Sequence, residues 1–482
     1  MNTTDFDLVV IGAGSAGITA AMTANGLGKR VALVERSRIG GECTWSGCVP
    51  SKALIRAAHA ARESARLAEF VPGSVRPAKT RADGALRYVR SVVERVYEGE
   101  RPERFEALGI RVFFGRPVFA DPKRLRLGDR VLAARRFLVA TGSRPLVPPI
   151  EGLRSVPFLT SETVFAQKRL PKSMIVLGGG PIGLELAAAF NRLGVRVTVV
   201  EMMERVLYRE EPELADALAA SLTSEGVGMA VGYRALAFSR TKKGITLAAA
   251  DASGARREFT ADSVLVAVGR GPNVEDLALG AAGVAFDQRG VKVDAYMRTT
   301  APGIYASGDV AGPYLFSHMA EAQSIVAVRN MFLPIKTKVD YTAVPWVTYT
   351  DPELARAGLT VEEARKMYGG RVRVYRSSYG EIDRGKTDGV GAGAGVFVCG
   401  ARGKLLGIHI LGPAAGELMQ QALLALKLGV RFSRISSVVH AYPGYSDLVK
   451  RASRQAYIDE LRNNPIVKTA GAIARLLKKV TG

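Results

Sequence analysis

A glycine pattern that occurs twice in this chain, each time between two apolar segments, restricts the folds that the chain can adopt. In the first copy the apolar run 7–11 is followed by a glycine-rich turn, a helix-forming stretch and a second apolar run, 30–34. The glycines and the acid that ends this copy are Gly12, Gly14, Gly17 and Glu35. In a βαβ unit of this kind the glycines permit a tight turn, close approach of a pyrophosphate and packing of the helix on the strand. The pattern therefore predicts a dinucleotide-binding unit.

The second copy has the same organisation farther along the chain. Its glycines and terminal acid are Gly178, Gly180, Gly183 and Glu201, and the interval from first glycine to acid equals that in the first copy. One such pattern alone is weak, but two matched copies predict that two dinucleotides bind. A carboxylate at the end of the second strand accepts hydrogen bonds from a free ribose 2′-hydroxyl and repels a 2′-phosphate. Glu201 therefore favours NAD(H) over NADP(H), a preference that Arg205 could weaken.

Composition limits the class of protein and its partners. A chain of 482 residues exceeds the size of one hydrophobic core, and 48% hydrophobic with 23% charged residues is typical of globular proteins. The formal net charge is +22, but the basic residues are spread along the chain without a nucleic-acid-binding motif, so we expect no nucleic-acid partner. No apolar run is long enough to span a membrane, and the N-terminal residues do not resemble a signal peptide. These features predict a cytoplasmic protein.

The three cysteines include a close pair, Cys43 and Cys48. A zinc half-site is one interpretation, but a tetrahedral site needs four ligands, and Cys399 and the four histidines repeat no ligand spacing. We therefore predict no metal site. Pro50 suits the first turn of a helix, which places Cys48 at a helix N-terminus, where the thiolate is stabilised. The pair is typical of a reactive dithiol.

The segment 40–52, which contains this pair, resembles the active-site disulfide segment of the flavin-dependent pyridine nucleotide-disulfide oxidoreductases, the family of dihydrolipoamide dehydrogenase, glutathione reductase and mercuric reductase. Two further matches are the FAD segments 140–145, with Thr141 and Gly142, and 303–309, with Asp309. Other matching stretches are 268–273, 351–353 and 407–412. The resemblance implies an α/β fold with two Rossmann-like dinucleotide-binding domains, for FAD and for NAD, plus a C-terminal α+β dimerisation domain.

The resemblance also implies how the chain is divided. The expected parts are an FAD-binding domain of residues 1–150 and 270–340, an NAD(P)-binding domain of residues 151–269, a dimerisation domain of residues 341–463, and a basic amphipathic tail, 464–482. FAD and NAD(H) are the implied cofactors, and the implied assembly is a homodimer.

The resemblance further implies the roles of individual residues. NADH reduces the flavin, which passes two electrons to a Cys43–Cys48 disulfide; Cys48 is the flavin-proximal thiol, and Cys43 exchanges with the substrate. Asp309 binds the flavin ribitol. Lys52 matches the lysine near the reactive edge of the flavin, and Glu185 matches its partner. An ordinary surface pair is the alternative interpretation of these last two residues.

The C-terminal motif departs from the family. Thiol-disulfide members carry His-x-His-Pro-Thr-x-Ser-Glu, whose second histidine is the acid-base catalyst, and in this chain Tyr442 takes that position while Asp447 replaces the glutamate. A tyrosine, with a pKa near 10, is a poor base at neutral pH. His440 is a weaker candidate for the missing base.

Several functions are compatible with this departure. An ordinary mercuric reductase has a C-terminal cysteine pair, which is missing here, and an efficient lipoamide dehydrogenase or glutathione reductase needs the histidine. We expect a related enzyme that reduces an unidentified disulfide, metal or quinone-like acceptor. The alternatives are a lipoamide dehydrogenase proper and a non-catalytic flavoprotein subunit or redox sensor.

The tail has an apolar stripe at helical spacing and several basic residues. The stripe consists of Ile466, Ala470, Ile473, Leu477 and Val480, and the basic residues are Lys468, Arg475, Lys478 and Lys479. Such a helix can lie on an anionic membrane surface, dock on a partner, or pack on its own dimer.

Overall fold

The computed structural model describes residues 5–71 and 82–481. They form two compact units. The first comprises Met1–Met202 and Ala230–Asp340, and the second comprises Met203–Met229 and Tyr341–Gly482. The domain boundaries expected from the sequence stay predictions.

The first glycine pattern lies at one end of a parallel five-stranded sheet. Its strands, in spatial order, are Ile304–Ala306, Phe137–Val139, Leu8–Ile11, Val31–Glu35 and Arg111–Phe114. Leu8–Ile11 and Val31–Glu35 are buried along their whole length, as the continuous apolar runs predict for a sheet covered on both faces. The helices Ser15–Gly26 and Ser317–Phe332 pack against each other within this unit. The strand Ile304–Ala306 pairs with Phe137–Val139, so a segment far along the chain completes the first sheet.

The second glycine pattern lies in a second parallel sheet. Arg196–Glu201, Ser173–Leu177 and Ser263–Val266 lie side by side in that order and run parallel. The crossover helix Pro181–Arg192 begins directly after the glycine turn, with proline in its first turn. An antiparallel sheet of Arg234–Thr241, Gly244–Ala250 and Arg256–Ala261 follows in sequence.

The second unit is built on an antiparallel five-stranded sheet. Its strands, in spatial order, are Pro345–Thr348, Glu353–Gly358, Leu405–Gly412, Ala394–Cys399 and Arg373–Ser378. The helices Pro212–Ser224, Ala415–Lys427 and Asp447–Asn463 pack on it. Its core includes the fully buried rings of Phe397 and Phe432 and the buried thiol of Cys399.

The described residues contain further helices and strands. The other helices are Gly41–Trp45, Cys48–Phe70, Ala82–Tyr97, Pro102–Ala107, Val361–Tyr368, Asp383–Thr387 and Pro465–Thr481. The other strands are Pro117–Asp121, Arg124–Leu127, Arg130–Ala133, Ser143–Pro145, Gly228–Val231, Arg270–Pro272, Phe286–Asp287 and Gly290–Val291. Within residues 5–71 and 82–481, no helix is both long and apolar enough to cross a membrane.

Candidate active site

The two cysteines of the close pair lie on consecutive helices. Cys43 is in the short helix Gly41–Trp45, and Cys48 is the first residue of Cys48–Phe70, which we call the Cys48 helix. Both are free thiols in the structure, and their side chains are close enough to share a hydrogen bond. The structure therefore shows the dithiol form of the pair.

The two thiols differ in acidity. The pKa of Cys48 is lowered to about 6, chiefly by the hydrogen bond from the Cys43 thiol and, against the effect of burial, by the Lys52 ammonium and the Ser317 hydroxyl. The same hydrogen bond and burial raise the pKa of Cys43 well above its ordinary range. Cys48 is thus the thiolate near neutral pH, and Cys43 retains its proton. The position of Cys48 in the first turn of a helix favours the same assignment, because the positive end of the helix dipole stabilises a thiolate.

Lys52 and Glu185 form an ion pair beside the dithiol. The Nζ atom of Lys52 lies 2.7 Å from Oε2 of Glu185, and the Glu185 side chain is only 6% exposed. Lys52 stands one turn after Cys48 on the Cys48 helix, and Glu185 lies on the crossover helix Pro181–Arg192. Burial of the acid distinguishes this pair from a fully solvated surface pair. The structure therefore brings together four predicted residues, Cys43, Cys48, Lys52 and Glu185.

Ser317 is a contact of the dithiol that the sequence analysis missed. Its Oγ atom lies 3.8 Å from the Sγ atom of Cys48, and it is the first residue of the helix Ser317–Phe332, which we call the Ser317 helix. The two residues are 269 positions apart in the chain. A hydroxyl at the start of a helix has no signature of its own, so only its position soon after Asp309 could have drawn attention to it.

The glycines of the two patterns fulfil different requirements. Gly12 has a φ of +103°, and a Cβ there would lie 2.4 Å from the carbonyl oxygen of Ala140, so the fold itself excludes other residues. A Cβ at Gly180, in contrast, meets nothing within 4 Å among the described residues. Packing does not explain glycine at that position, whereas close approach of a bound dinucleotide does. The second pattern therefore fits a bound dinucleotide.

Each terminal acid accepts a hydrogen bond from the backbone of its own glycine turn. Glu35 accepts hydrogen bonds from the N–H groups of Ala13 and Ser37, both at 2.9 Å. Glu201 accepts one from the N–H of Gly179 at 2.6 Å. These contacts fix each carboxylate at the end of its second strand, where a ribose is expected.

A polar network surrounds the predicted FAD residue Asp309. Its Oδ2 atom accepts a hydrogen bond from the Ser143 hydroxyl at 2.5 Å, and Nε of Arg270 donates to that hydroxyl at 2.9 Å. Arg270 is also ion-paired with Glu42, while its Nη1 atom is buried without a partner in the described part of the chain. A buried donor of this kind suits a bound group that carries acceptor oxygens, so the network fits FAD.

Glu42, next to Cys43, is a second residue that the sequence analysis missed. Burial raises the pKa of its carboxyl group to about 7, and the ion pair with Arg270 offsets only part of this rise. Its acidity is therefore coupled to the network around Asp309.

Two other predicted FAD residues have local structural partners. The Thr141 hydroxyl donates to the carbonyl oxygen of Asn273 at 2.7 Å, and the Asn273 side-chain amide donates back to the carbonyl oxygen of Thr141 at 2.9 Å. Gly142 has a φ of +69°, and a Cβ there meets nothing within 4 Å among the described residues. Thr141 thus positions the turn, and Gly142 leaves space beside it.

The residues that replace the family's acid-base motif lie in the second compact unit. The Tyr442 hydroxyl donates to Oδ2 of Asp383 at 2.8 Å, and this hydrogen bond raises the pKa of Tyr442. A ring nitrogen of His440, Nδ1, lies 2.8 Å from the carbonyl oxygen of Val438. Asp447 is the first residue of the helix Asp447–Asn463. Tyr442 is therefore an even poorer base than an ordinary tyrosine.

Comparison with known proteins identifies the family. The family model described as pyridine nucleotide-disulphide oxidoreductase matches residues 6–328, and that of its dimerisation domain matches residues 344–453. The chain is 35% identical over 461 residues to the dihydrolipoyl dehydrogenase of Thermus scotoductus, covering 93% of this chain and 96% of that protein. It is 32% identical over 454 residues to the mercuric reductase of Staphylococcus aureus, covering 93% of this chain and 82% of that protein.

A solved structure shows the same arrangement. The Cu(II) complex of the HOCl-induced flavoprotein disulfide reductase RclA from Escherichia coli superimposes with a TM-score of 0.83 at 26% identity, covering 94% of this chain and all of that chain. These matches confirm the expected α/β fold with its C-terminal dimerisation domain. The chain belongs to the class I pyridine nucleotide-disulphide oxidoreductases and is therefore an enzyme that uses FAD and NAD(P)H and forms a homodimer.

Proposed function

We propose that this enzyme passes electrons from NADH through FAD and the Cys43–Cys48 pair to an acceptor that needs no proton-transferring histidine. One contrast carries the proposal: Cys48 is held as a thiolate, whereas Tyr442 donates its proton to Asp383 in a hydrogen bond. Electron delivery to the dithiol is thus supported, and acid-base catalysis by the C-terminal motif is not.

The residues around the dithiol have separate tasks in this scheme. Bound FAD supplies the two-electron carrier between the nicotinamide and the cysteine pair. The Lys52 ammonium, oriented by Glu185, places a positive charge one helical turn from the Cys48 thiolate. Asp309, Ser143 and Arg270 would hold FAD, and the second glycine turn with Glu201 would hold NADH.

The acidity of Cys43 separates the acceptor classes. With a disulfide acceptor, Cys43 must lose its proton, attack one sulfur and release the other as a thiol; Cys48 then attacks Cys43, releases the second thiol and re-forms the Cys43–Cys48 disulfide. The raised pKa of Cys43 slows the first of these steps when no base assists.

A thiophilic metal ion is the acceptor class that best suits such a thiol. A metal ion deprotonates the thiol that binds it, so no base is needed. The two electrons from one NADH reduce one Hg(II) to Hg(0), or two Cu(II) to two Cu(I). A relative named mercuric reductase and the Cu(II) complex of RclA support this class. A quinone-like acceptor is the second candidate, because it can take electrons without thiol exchange.

An acceptor screen tests the proposal. NADH oxidation by purified enzyme is measured with Hg(II), Cu(II), a soluble quinone, glutathione disulfide and lipoamide, and again with the Cys43→Ala and Cys48→Ala variants. We expect metal turnover that both variants lose. Quinone turnover that survives in both variants would show that the flavin reduces the acceptor without the cysteine pair. Lipoamide turnover equal to that of ordinary family members would identify a lipoamide dehydrogenase proper.

Three further assignments belong to this proposal. The preference for NADH rests on Glu201, and a cytoplasmic location rests on the need to keep the dithiol reducible. A peripheral role of the tail rests on the helix Pro465–Thr481, in which Ile466 and Ile473 are exposed.

A further inference from the structure

The sulfur of Cys48 lies where the N-termini of two helices meet. Cys48 is the first residue of the Cys48 helix, and Ser317 is the first residue of the Ser317 helix. Neither helix has a side-chain hydrogen bond from its N-cap residue, Gly47 or Phe316. The Ser317 hydroxyl lies 3.8 Å from Sγ of Cys48, a distance suited to a hydrogen bond with sulfur. The positive ends of two helix dipoles and a hydroxyl donor therefore converge on one sulfur atom.

We propose that Ser317 is a catalytic hydrogen-bond donor that holds Cys48 as a thiolate while Cys43 is bonded to the acceptor. This inference deepens the proposed function and rests on it.

The argument depends on what happens to the other donor. In the free dithiol, the Cys43 thiol donates to the Cys48 thiolate. Once Cys43 has formed a bond to a substrate sulfur or a metal ion, its proton is gone and that donor is lost. The Ser317 hydroxyl interacts with both sulfurs in the free dithiol. It forms no bond to the acceptor, so it is still present to donate to Cys48 once Cys43 is bonded. A hydrogen bond to a charged group is stronger than one between neutral groups, which makes this donor effective.

The charged groups around Cys48 do not replace the hydroxyl. Lys52 lowers the pKa of Cys48, but Glu185, its partner at 2.7 Å, raises it. Burial is the main cause of the raised pKa of Glu42, and repulsion between its carboxylate and the Cys48 thiolate adds to that rise. The net effect of these three groups is thus smaller than that of the lysine alone, and an uncharged donor in direct contact with the sulfur retains its importance.

The test uses the holoenzyme with Cys43→Ala, which removes the side-chain donor at position 43. In this background we compare Ser317, Ser317→Ala and Ser317→Thr. Two measurements give the titration midpoint of Cys48 between pH 4 and 9: the rate of alkylation by iodoacetamide, followed on the Cys48 peptide by mass spectrometry, and the long-wavelength absorbance of a thiolate against oxidised flavin. Cys399 is buried and is reported by a separate peptide.

We expect Ser317→Ala to raise the midpoint by about one pH unit, which makes alkylation below the midpoint about tenfold slower, and Ser317→Thr to restore it. Ser51→Ala is the matched control, because the Ser51 hydroxyl donates to the carbonyl oxygen of Cys48 at 3.2 Å and not to its sulfur. We expect no comparable shift from it.

Three results would overturn the inference: an unchanged midpoint in Ser317→Ala, a threonine variant that behaves like the alanine variant, or an equal shift in Ser51→Ala. Failure of the proposed function has a different signature. It would appear as wild-type enzyme that does not reduce its acceptors through the cysteines, and the alkylation midpoint does not depend on any acceptor.

Discussion

The dithiol region and the C-terminal motif region differ in how their reactive groups are held. Around Cys48, a second thiol, a hydroxyl and the Lys52–Glu185 ion pair, whose acid is buried, adjust the acidity of one sulfur. In the motif region the Tyr442 hydroxyl donates to the carboxylate of Asp383, which raises the pKa of the tyrosine. The cysteine pair that we propose as the electron-carrying site is thus present, whereas the motif that the family resemblance assigns to proton transfer is altered. Electron transfer through the dithiol and proton transfer by the C-terminal motif can therefore change independently.

The largest expected effect is on turnover and follows from replacing a cysteine of the Cys43–Cys48 pair. Cys48→Ser should abolish the red-shifted absorbance of the two-electron-reduced enzyme and lower the reduction of disulfide or metal acceptors by at least about 10³-fold, because no thiol remains to pass electrons from the flavin. Cys43→Ser should show the absorbance without any reductant, since Cys48 can then form no disulfide. Spectra and turnover decide this, and a Cys43→Ser protein that lacks the absorbance would reverse the roles of the two thiols.

In the C-terminal motif region, we expect activity to change when the family's residues are restored, and not when the present residues are removed. Tyr442→His combined with Asp447→Glu should raise dihydrolipoamide oxidation near pH 7 by about 10- to 100-fold, because an imidazole with a pKa near 6.5 can take the proton that tyrosine cannot. Steady-state rates between pH 6 and 9 measure the gain. A wild-type rate already equal to that of ordinary members would contradict this view, and loss of that rate in His440→Gln would identify His440 as the base.

How well the sequence predicts a contact in these two regions depends on how far apart the two residues are in the chain. The glycine patterns and their acids are local, so the βαβ unit in each parallel sheet follows from residues that are neighbours in the chain. The contact between Ser317 and Cys48 joins residues 269 positions apart, and the Glu42–Arg270 ion pair joins two other distant segments. No periodicity encodes such contacts. The resemblance to the family, and not spacing, predicts the roles of Lys52 and Glu185.

The pH dependence of the reduced enzyme tests whether the surroundings of Cys48 stabilise its thiolate. The pKa of Cys48 is lowered to about 6, so its thiolate should be present above that pH and be lost as the pH falls through it. The red-shifted absorbance of the two-electron-reduced wild type should therefore be about tenfold weaker at pH 5 than at pH 8. A titration of the anaerobic enzyme measures this. A midpoint above pH 8 would mean that Cys48 is not the stabilised thiolate.

The two glycine patterns allow a finer test within the first compact unit. Glu201→Gln removes the charge while its amide oxygen can still accept the hydrogen bond from the N–H of Gly179. We expect the ratio of flavin reduction rates with NADH and NADPH to fall about fivefold, because a 2′-phosphate is no longer repelled. Stopped-flow reduction with each nucleotide measures the ratio. Glu35→Gln, in the first pattern, is the matched control and should leave the ratio unchanged, whereas an unchanged ratio in Glu201→Gln would assign specificity to other groups, with Arg205 the first to examine.

The smallest effect is expected from the tail, which belongs to neither half of the reaction. In the helix Pro465–Thr481, Ile466 is 78% exposed and Ile473 is 53% exposed, and both belong to the predicted apolar stripe. Lys468, Arg475, Lys478 and Lys479 supply positive charge in the same segment. An amphipathic basic helix binds anionic lipid, but the rest of the protein is also attracted to it because the chain carries a net charge of +22. Truncation after Asn463 should therefore weaken co-sedimentation with anionic vesicles at low salt only about two- to threefold. Equal sedimentation of the full-length and truncated homodimers would instead favour a tail that packs on its own dimer.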